Sequence, residues 1–173
     1  MALPENVVGE IVSGELRVSP RPAGPHSVAQ SVLGALLLPP FQLNDPGPGG
    51  WWILDEPELH QGENVVVPDL AGWRRHRMPE PPDGPFIELP PDWLAEILSP
   101  STARLDRVEK LPLYAQAGVP SVWLIDPIAR TLEVLRLEHG RWTIVGVHGA
   151  SDVVHAEPFD AIGLSLPLLW GVS

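Results

Sequence analysis

Hydrophobic and polar positions alternate over residues 7–18 on either side of Ser13-Gly14, which predicts a short strand pair or a strand and turn. The period then changes. Behind Pro25, which suits a first helical turn, Val28, Ala29, Val32, Leu33, Leu36 and Leu37 recur at helical spacing and predict a helix over 25–38. Two Pro- and Gly-rich stretches, 39–50 and 78–92, read as surface loops. Between them, the extended runs 51–59 and 64–73 are joined by Gln61-Gly62-Glu63-Asn64 and predict an antiparallel hairpin. Residues 93–98 predict a third strand. The hydroxyls of Ser99, Ser101 and Thr102 then precede a helix over 103–117, with Leu105, Val108, Leu111 and Ala115 on one face, a kink at Pro112 and a stop at Gly118. Residues 121–125 form an apolar run of buried-strand length, and a hairpin of 132–137 with 142–147 follows as a β appendage. The predicted class is α/β, with a central mixed sheet flanked by helices.

Composition narrows the chemistry. The chain has 173 residues, suited to one domain over 1–173, with 22 acidic and 11 basic side chains and a net charge of -11. It has no cysteine, which excludes disulfides, thiolate metal sites and a cysteine nucleophile. The acidic balance argues against a simple polyanion binder, since such domains normally carry a basic excess. Residues 1–16 show no basic leader, apolar core or cleavage pattern, so a cytoplasmic location is expected. The longest apolar stretch, 32–38, is far below the ~20 residues of a membrane span.

Three carboxylates and one lysine draw attention. A hairpin turn centred between Glu63 and Asn64 would put Glu58 opposite Asp69, and facing like charges usually imply a cation between them or solvent around them. Glu96 interrupts an apolar strand, where an unpartnered carboxylate would cost several kcal/mol or take up a proton. Lys110 is the only lysine in the chain. It suits polarising a water beside a metal, and equally an ordinary helical ion pair with Asp106 four residues earlier. Arg74, Arg75 and Arg77 with His76 form a dense basic cluster, read either as phosphate contacts or as a solvated charge run. The six histidines show neither HExxH nor HxH spacing and need be no more than surface or core residues. The tryptophans read as core anchors.

Taken in order, Val67-Pro68-Asp69-Leu70, the run from Trp93 to Thr102, Asp106, Lys110, Tyr114-Ala115-Gln116-Ala117-Gly118-Val119 and Trp123-Leu124-Ile125-Asp126-Pro127 resemble the Uma2 family. Gly14-Glu15-Leu16, Ser19-Pro20, His26, Pro158-Phe159-Asp160 and Trp170 extend the likeness over nearly the whole chain. That family is assigned to the PD-(D/E)XK restriction-endonuclease-like superfamily.

The resemblance implies a restriction-endonuclease-like core over about 25–127; the extra C-terminal β-hairpin read from the residues offers a surface for a homodimer. It implies a metal-dependent endonuclease acting on DNA, with Mg2+ (or Mn2+) as cofactor. Carried over residue by residue, Asp69 is the acid of the PD half and Glu96 the second acid. Leu98 stands where the superfamily has lysine, so that role moves to Lys110, which would orient or help deprotonate the attacking water. Glu58 matches a further acidic position near the metal, and Glu10 or Glu15 could contribute. Arg74, Arg75, Arg77, Arg104 and Arg107 would supply a local basic rim. The alternative is an inert module that keeps the fold and binds a protein partner.

Overall fold

In a computed structural model, which describes residue 4 and residues 6–21, 24–149 and 151–172, twelve strands and three α-helices follow one another. The leaderless start read on residues 1–16 lies partly outside the described residues. Strands β1 (Val7–Val12) and β2 (Glu15–Pro20) form the expected hairpin, turned by Ser13 and Gly14 at positive φ. Helix α1 (Pro25–Leu37) follows and runs into a π-helical turn, Leu38–Gln42, that carries Pro39 and Pro40.

Each predicted long hairpin arm is broken by a proline. Trp51–Asp55 (β3) and Leu59–Gln61 (β4) flank Pro57, while Asn64–Val66 (β5) and Leu70–Arg74 (β6) flank Pro68. Proline donates nothing to a ladder, so pairing stops there and the hairpin bends into two sheets. Its tip joins a four-stranded sheet of order β2-β1-β5-β4, and its base joins a six-stranded sheet of order β10-β9-β8-β7-β6-β3.

Strand β7 (Trp93–Ile97) lies inside the large sheet, antiparallel to β6 and parallel to β8 (Ser121–Asp126). Parallel neighbours need a crossover, supplied here by one helical passage. That passage is not a kinked α-helix. A π-helical stretch, Leu105–Lys110, precedes α2 (Leu111–Ala117), and the Leu111 N–H reaches back to the Asp106 carbonyl. The wider turn accommodates Pro112, whose ring would press on the carbonyl four residues back in a continuous α-helix. Gly118, at φ 77°, closes α2 in the left-handed conformation.

The expected C-terminal hairpin forms, and it extends the central sheet. Strand β9 (Thr131–Glu138) pairs with β8 over six positions, and β10 (Arg141–His148) extends the same sheet. A last pair, β11 (Val153–Val154) with β12 (Leu164–Ser165), leads into α3 (Leu166–Leu169) against α1.

The central strands of the large sheet, β6, β7 and β8, are buried on both faces. Alternate residues Trp93, Ala95 and Ile97 of β7 face a core with α1 and the C-terminal segment, while Leu94 and Leu98 face one with α2. In the first core, Trp51, Trp93 and Trp123 surround Phe159 with ring centroids 4.8–5.7 Å away. Gly72 leaves room for the rings here, where a Cβ would come 3.2 Å from the Trp51 ring and 3.3 Å from that of Trp93, tighter than ordinary contact. No helix among the described residues is long and apolar enough to cross a membrane.

Candidate active site

Asp69 sits where the bent hairpin leaves the small sheet and enters the large one. Pro68 halts pairing before it, freeing the side chain to turn toward β7, where its Oδ2 accepts the Ile97 N–H at 2.6 Å. Its Oδ1 lies 3.2 Å from Nε2 of His26, in the first turn of α1. Glu96 shares the α2 face of β7 with Leu94 and Leu98 by strand alternation, so its carboxylate meets the helical crossover rather than water.

The crossover presents Asp106, Lys110 and Tyr114, four residues apart and all buried. Lys110 is 3% exposed, with Nζ 2.9 Å from Glu10, 2.8 Å from Glu96 and 3.6 Å from Asp106. Tyr114 donates its hydroxyl hydrogen to the same Glu96 oxygen, Oε1. Glu10, on β1, ties the small sheet in by accepting the Val67 N–H at 2.8 Å. A cavity of about 260 Å³ opens over the group and is lined by Glu10, Glu56, Asp69, Glu96, Asp106 and Lys110, with His26 and Arg21 at its wall.

Burial and charge set the protonation. Burial works to lower the Lys110 pKa, but Glu96, Tyr114, Glu10 and Asp106 more than offset it, so the ammonium is held well above the usual lysine value. Burial pushes Glu96 up; Lys110 opposes this, and Asp106, Asp69 and Glu10 add to it. Asp106 is raised, chiefly by burial, to about 6. At His26, burial works downward and the hydrogen bond and charge of Asp69 prevail, raising it.

The Asp106 shift has a stability consequence. Between an unfolded value of 3.8 and a folded value of about 6, the native state binds the extra proton, so this group's contribution falls as pH rises. By neutral pH the loss amounts to about 3 kcal/mol. Thermal melts of the metal-free protein and of Asp106→Asn should diverge from about pH 4 upward, in favour of the variant. A wild type equally stable to the variant at both ends would exclude that cost.

Asp69, Glu96 and Lys110 are thus brought into one site, and Glu58 is not. The hairpin turn is centred one residue earlier than expected, with Leu59 opposite Val66 and Gln61 opposite Asn64. Glu56 thereby takes the place read for Glu58, donating its N–H to the Asp69 carbonyl at 3.0 Å. Glu58 instead pairs with His60 at 2.7 Å, outside the cavity. Glu15, 68% exposed and paired with Arg17, also lies outside it, whereas Glu10 lies within.

The expected basic rim is spent elsewhere. Arg74 and Arg75 lie toward the far end of β6 from Asp69, about 17 Å along the strand at about 3.4 Å per residue. Arg74 stacks over Trp51; Arg75 stacks over Trp52 and donates to the carbonyls of Trp51 and Gln42. Arg77 pairs with Asp92, Arg104 with Glu109 and Arg107 with Glu133. None of these five lines the cavity.

Sequence reasoning did not assign His26, Glu56, Asp106 or Tyr114 to the site. The spacing of Asp106, Lys110 and Tyr114 was a usable signal, since residues four apart share a helix face. His26 and Glu56 arrive through tertiary bends that leave no local trace.

Asp69 and Glu96 offer hard oxygen donors, and the surplus of carboxylates over cations suits a divalent ion of magnesium type. Among the described residues no three carboxylate or imidazole groups stand ready as a preformed cage, for Lys110 holds the centre of the cluster. The donor chemistry fits such an ion with two side-chain ligands rather than a closed shell.

The fold is a mixed α/β domain whose large mixed sheet brings Asp69 and Glu96 together with Lys110 at one cavity. The chain matches the Uma2 family, described as "Putative restriction endonuclease", over residues 2–169, and it belongs to that family. A crystal structure described as "a putative nuclease belonging to DUF820 from Anabaena variabilis ATCC 29413" is similar at 24% identity with a TM-score of 0.78, covering 99% of this chain and 93% of that one. No curated protein matches the chain.

Proposed function

We propose that this protein is a metal-dependent endonuclease that hydrolyses phosphodiester bonds of DNA. The observation that carries the reading is the meeting of Asp69, Glu96 and Lys110 at one cavity, in a chain whose family carries the restriction-endonuclease description. Asp69 and Glu96 would hold Mg2+ or Mn2+. When bound, such an ion supplies positive charge against the developing charge on the phosphate oxygens.

The remaining roles belong to the chain's own groups. Lys110 stays protonated among its carboxylates, so it acts as a donor that orients the attacking water and not as the base that takes its proton. His26 and the Ile97 N–H fix the two oxygens of Asp69. With the rim arginines committed to other partners, few phosphates would be neutralised, so general attraction to DNA is weak and its dependence on salt shallow.

One observation favours the inert-module alternative: Lys110 is sealed among Glu10, Glu96 and Asp106, with the Val67 carbonyl 3.5 Å away. Calorimetric titration with Mg2+ and Mn2+ separates the two. The nuclease reading expects one site, weakened in both Asp69→Asn and Glu96→Gln. Heat identical in all three proteins, or none, would favour the inert module.

A further inference from the structure

Glu96 is held unevenly. Its Oε1 receives two donors, the Tyr114 hydroxyl and the Lys110 ammonium at 2.8 Å, while no donor to Oε2 is found among the described residues. Glu96 nonetheless lines the cavity. Both donors come from the helical crossover.

Tyr114 is built for this contact rather than for bulk alone. It is 1% exposed, its ring packs in the α2 core, and it lies four residues beyond Lys110, the last residue of the π-helical stretch. Such stretches often mark functional sites, because the extra residue re-aims the side chains around it. A ring of the same shape without the hydroxyl would fill the core equally well, so the oxygen has no packing duty. Among the described residues, its hydrogen-bond partner is the carboxylate read as a metal ligand.

We infer that Tyr114 is a positioning residue: with Lys110 it fixes Oε1 of Glu96, so that Oε2 is the oxygen presented to a divalent cation in the cavity. This role rests on the nuclease reading above. Partners that orient a ligand in this way typically govern metal affinity by 10- to 100-fold, roughly as much as they govern activity.

The test is Tyr114→Phe, which keeps the ring and removes one donor. Mn2+ is titrated by calorimetry into the wild type, Tyr114→Phe, Glu96→Gln and the double variant, with thermal melts and plasmid-cleavage kinetics alongside. The expected Mn2+ affinity of Tyr114→Phe is about tenfold weaker, with kcat reduced by a similar factor and KM for DNA unchanged. The double variant should bind Mn2+ no more weakly than Glu96→Gln, because the hydroxyl acts only through that carboxylate. A purely structural hydroxyl would lower the melting temperature and leave Mn2+ affinity and kcat where they were, and that result overturns the role. So does an additive loss in the double variant. If the wild type itself neither binds Mn2+ nor cleaves DNA, the nuclease reading fails and this role fails with it. A competent wild type beside an unchanged Phe variant removes the role alone.

Discussion

Lys110→Met should be the most damaging single replacement in this protein, losing about 3–5 kcal/mol of stability together with cleavage. Methionine matches the length of the lysine stem, so the loss comes from charge rather than from a cavity. Without the ammonium, Glu10, Glu96 and Asp106 face one another, buried, around a site where each was within 3.6 Å of Nζ. Removing one partner of a buried ionic group costs more than the group contributes when complete, because the remaining charges have neither water nor counter-ion. The carboxylates should take up protons, and the variant should recover part of its stability as the pH is lowered toward 5. Urea denaturation at two pH values measures this. A variant as stable as the wild type near neutral pH would mean that Lys110 does not balance the cluster.

Asp69→Asn should separate chemistry from folding. The amide can still accept the Ile97 N–H through its oxygen, so stability should change by no more than about 1 kcal/mol. What it loses is the anionic oxygen that meets His26 and, in the nuclease reading, the cation. Cleavage should fall on the order of a thousandfold, equivalent to about 4 kcal/mol of transition-state stabilisation. Single-turnover rates at saturating DNA, with a thermal melt of the same preparation, check both halves. Unimpaired cleavage in a folded variant would remove Asp69 from the reaction.

Much of this arrangement could be read from the residues, and what could not has identifiable causes. Helix α1, strand β7 and strand β8 follow from local periodicity, since each buries a face whose pattern is continuous in sequence. Glu96 could be singled out for the same reason: a carboxylate among five apolar strand neighbours must find a partner. Pro57 and Pro68 were visible too, but their effect, the division of one hairpin between two sheets, depends on which neighbours each half meets. The choice of Glu56 over Glu58 turned on the placing of the hairpin turn by a single residue. Such a shift moves every pairing by two, keeping the face and exchanging one acid for the next. The arginines carried no sign in sequence that Trp51, Trp52, Asp92, Glu109 and Glu133 would claim them. His26 reaches Asp69 only because α1 begins beside the bend, a contact across 43 positions of chain.

The most direct measurement is the conversion of supercoiled plasmid DNA to nicked and linear forms by purified protein, with Mg2+ or Mn2+ and with EDTA, and with Asp69→Asn prepared in parallel. Metal-dependent nicking by the wild type, abolished by EDTA and by Asp69→Asn, is the predicted result. Intact plasmid in every lane, or nicking that survives both EDTA and the substitution, would contradict a metal-dependent nuclease centred on Asp69, Glu96 and Lys110.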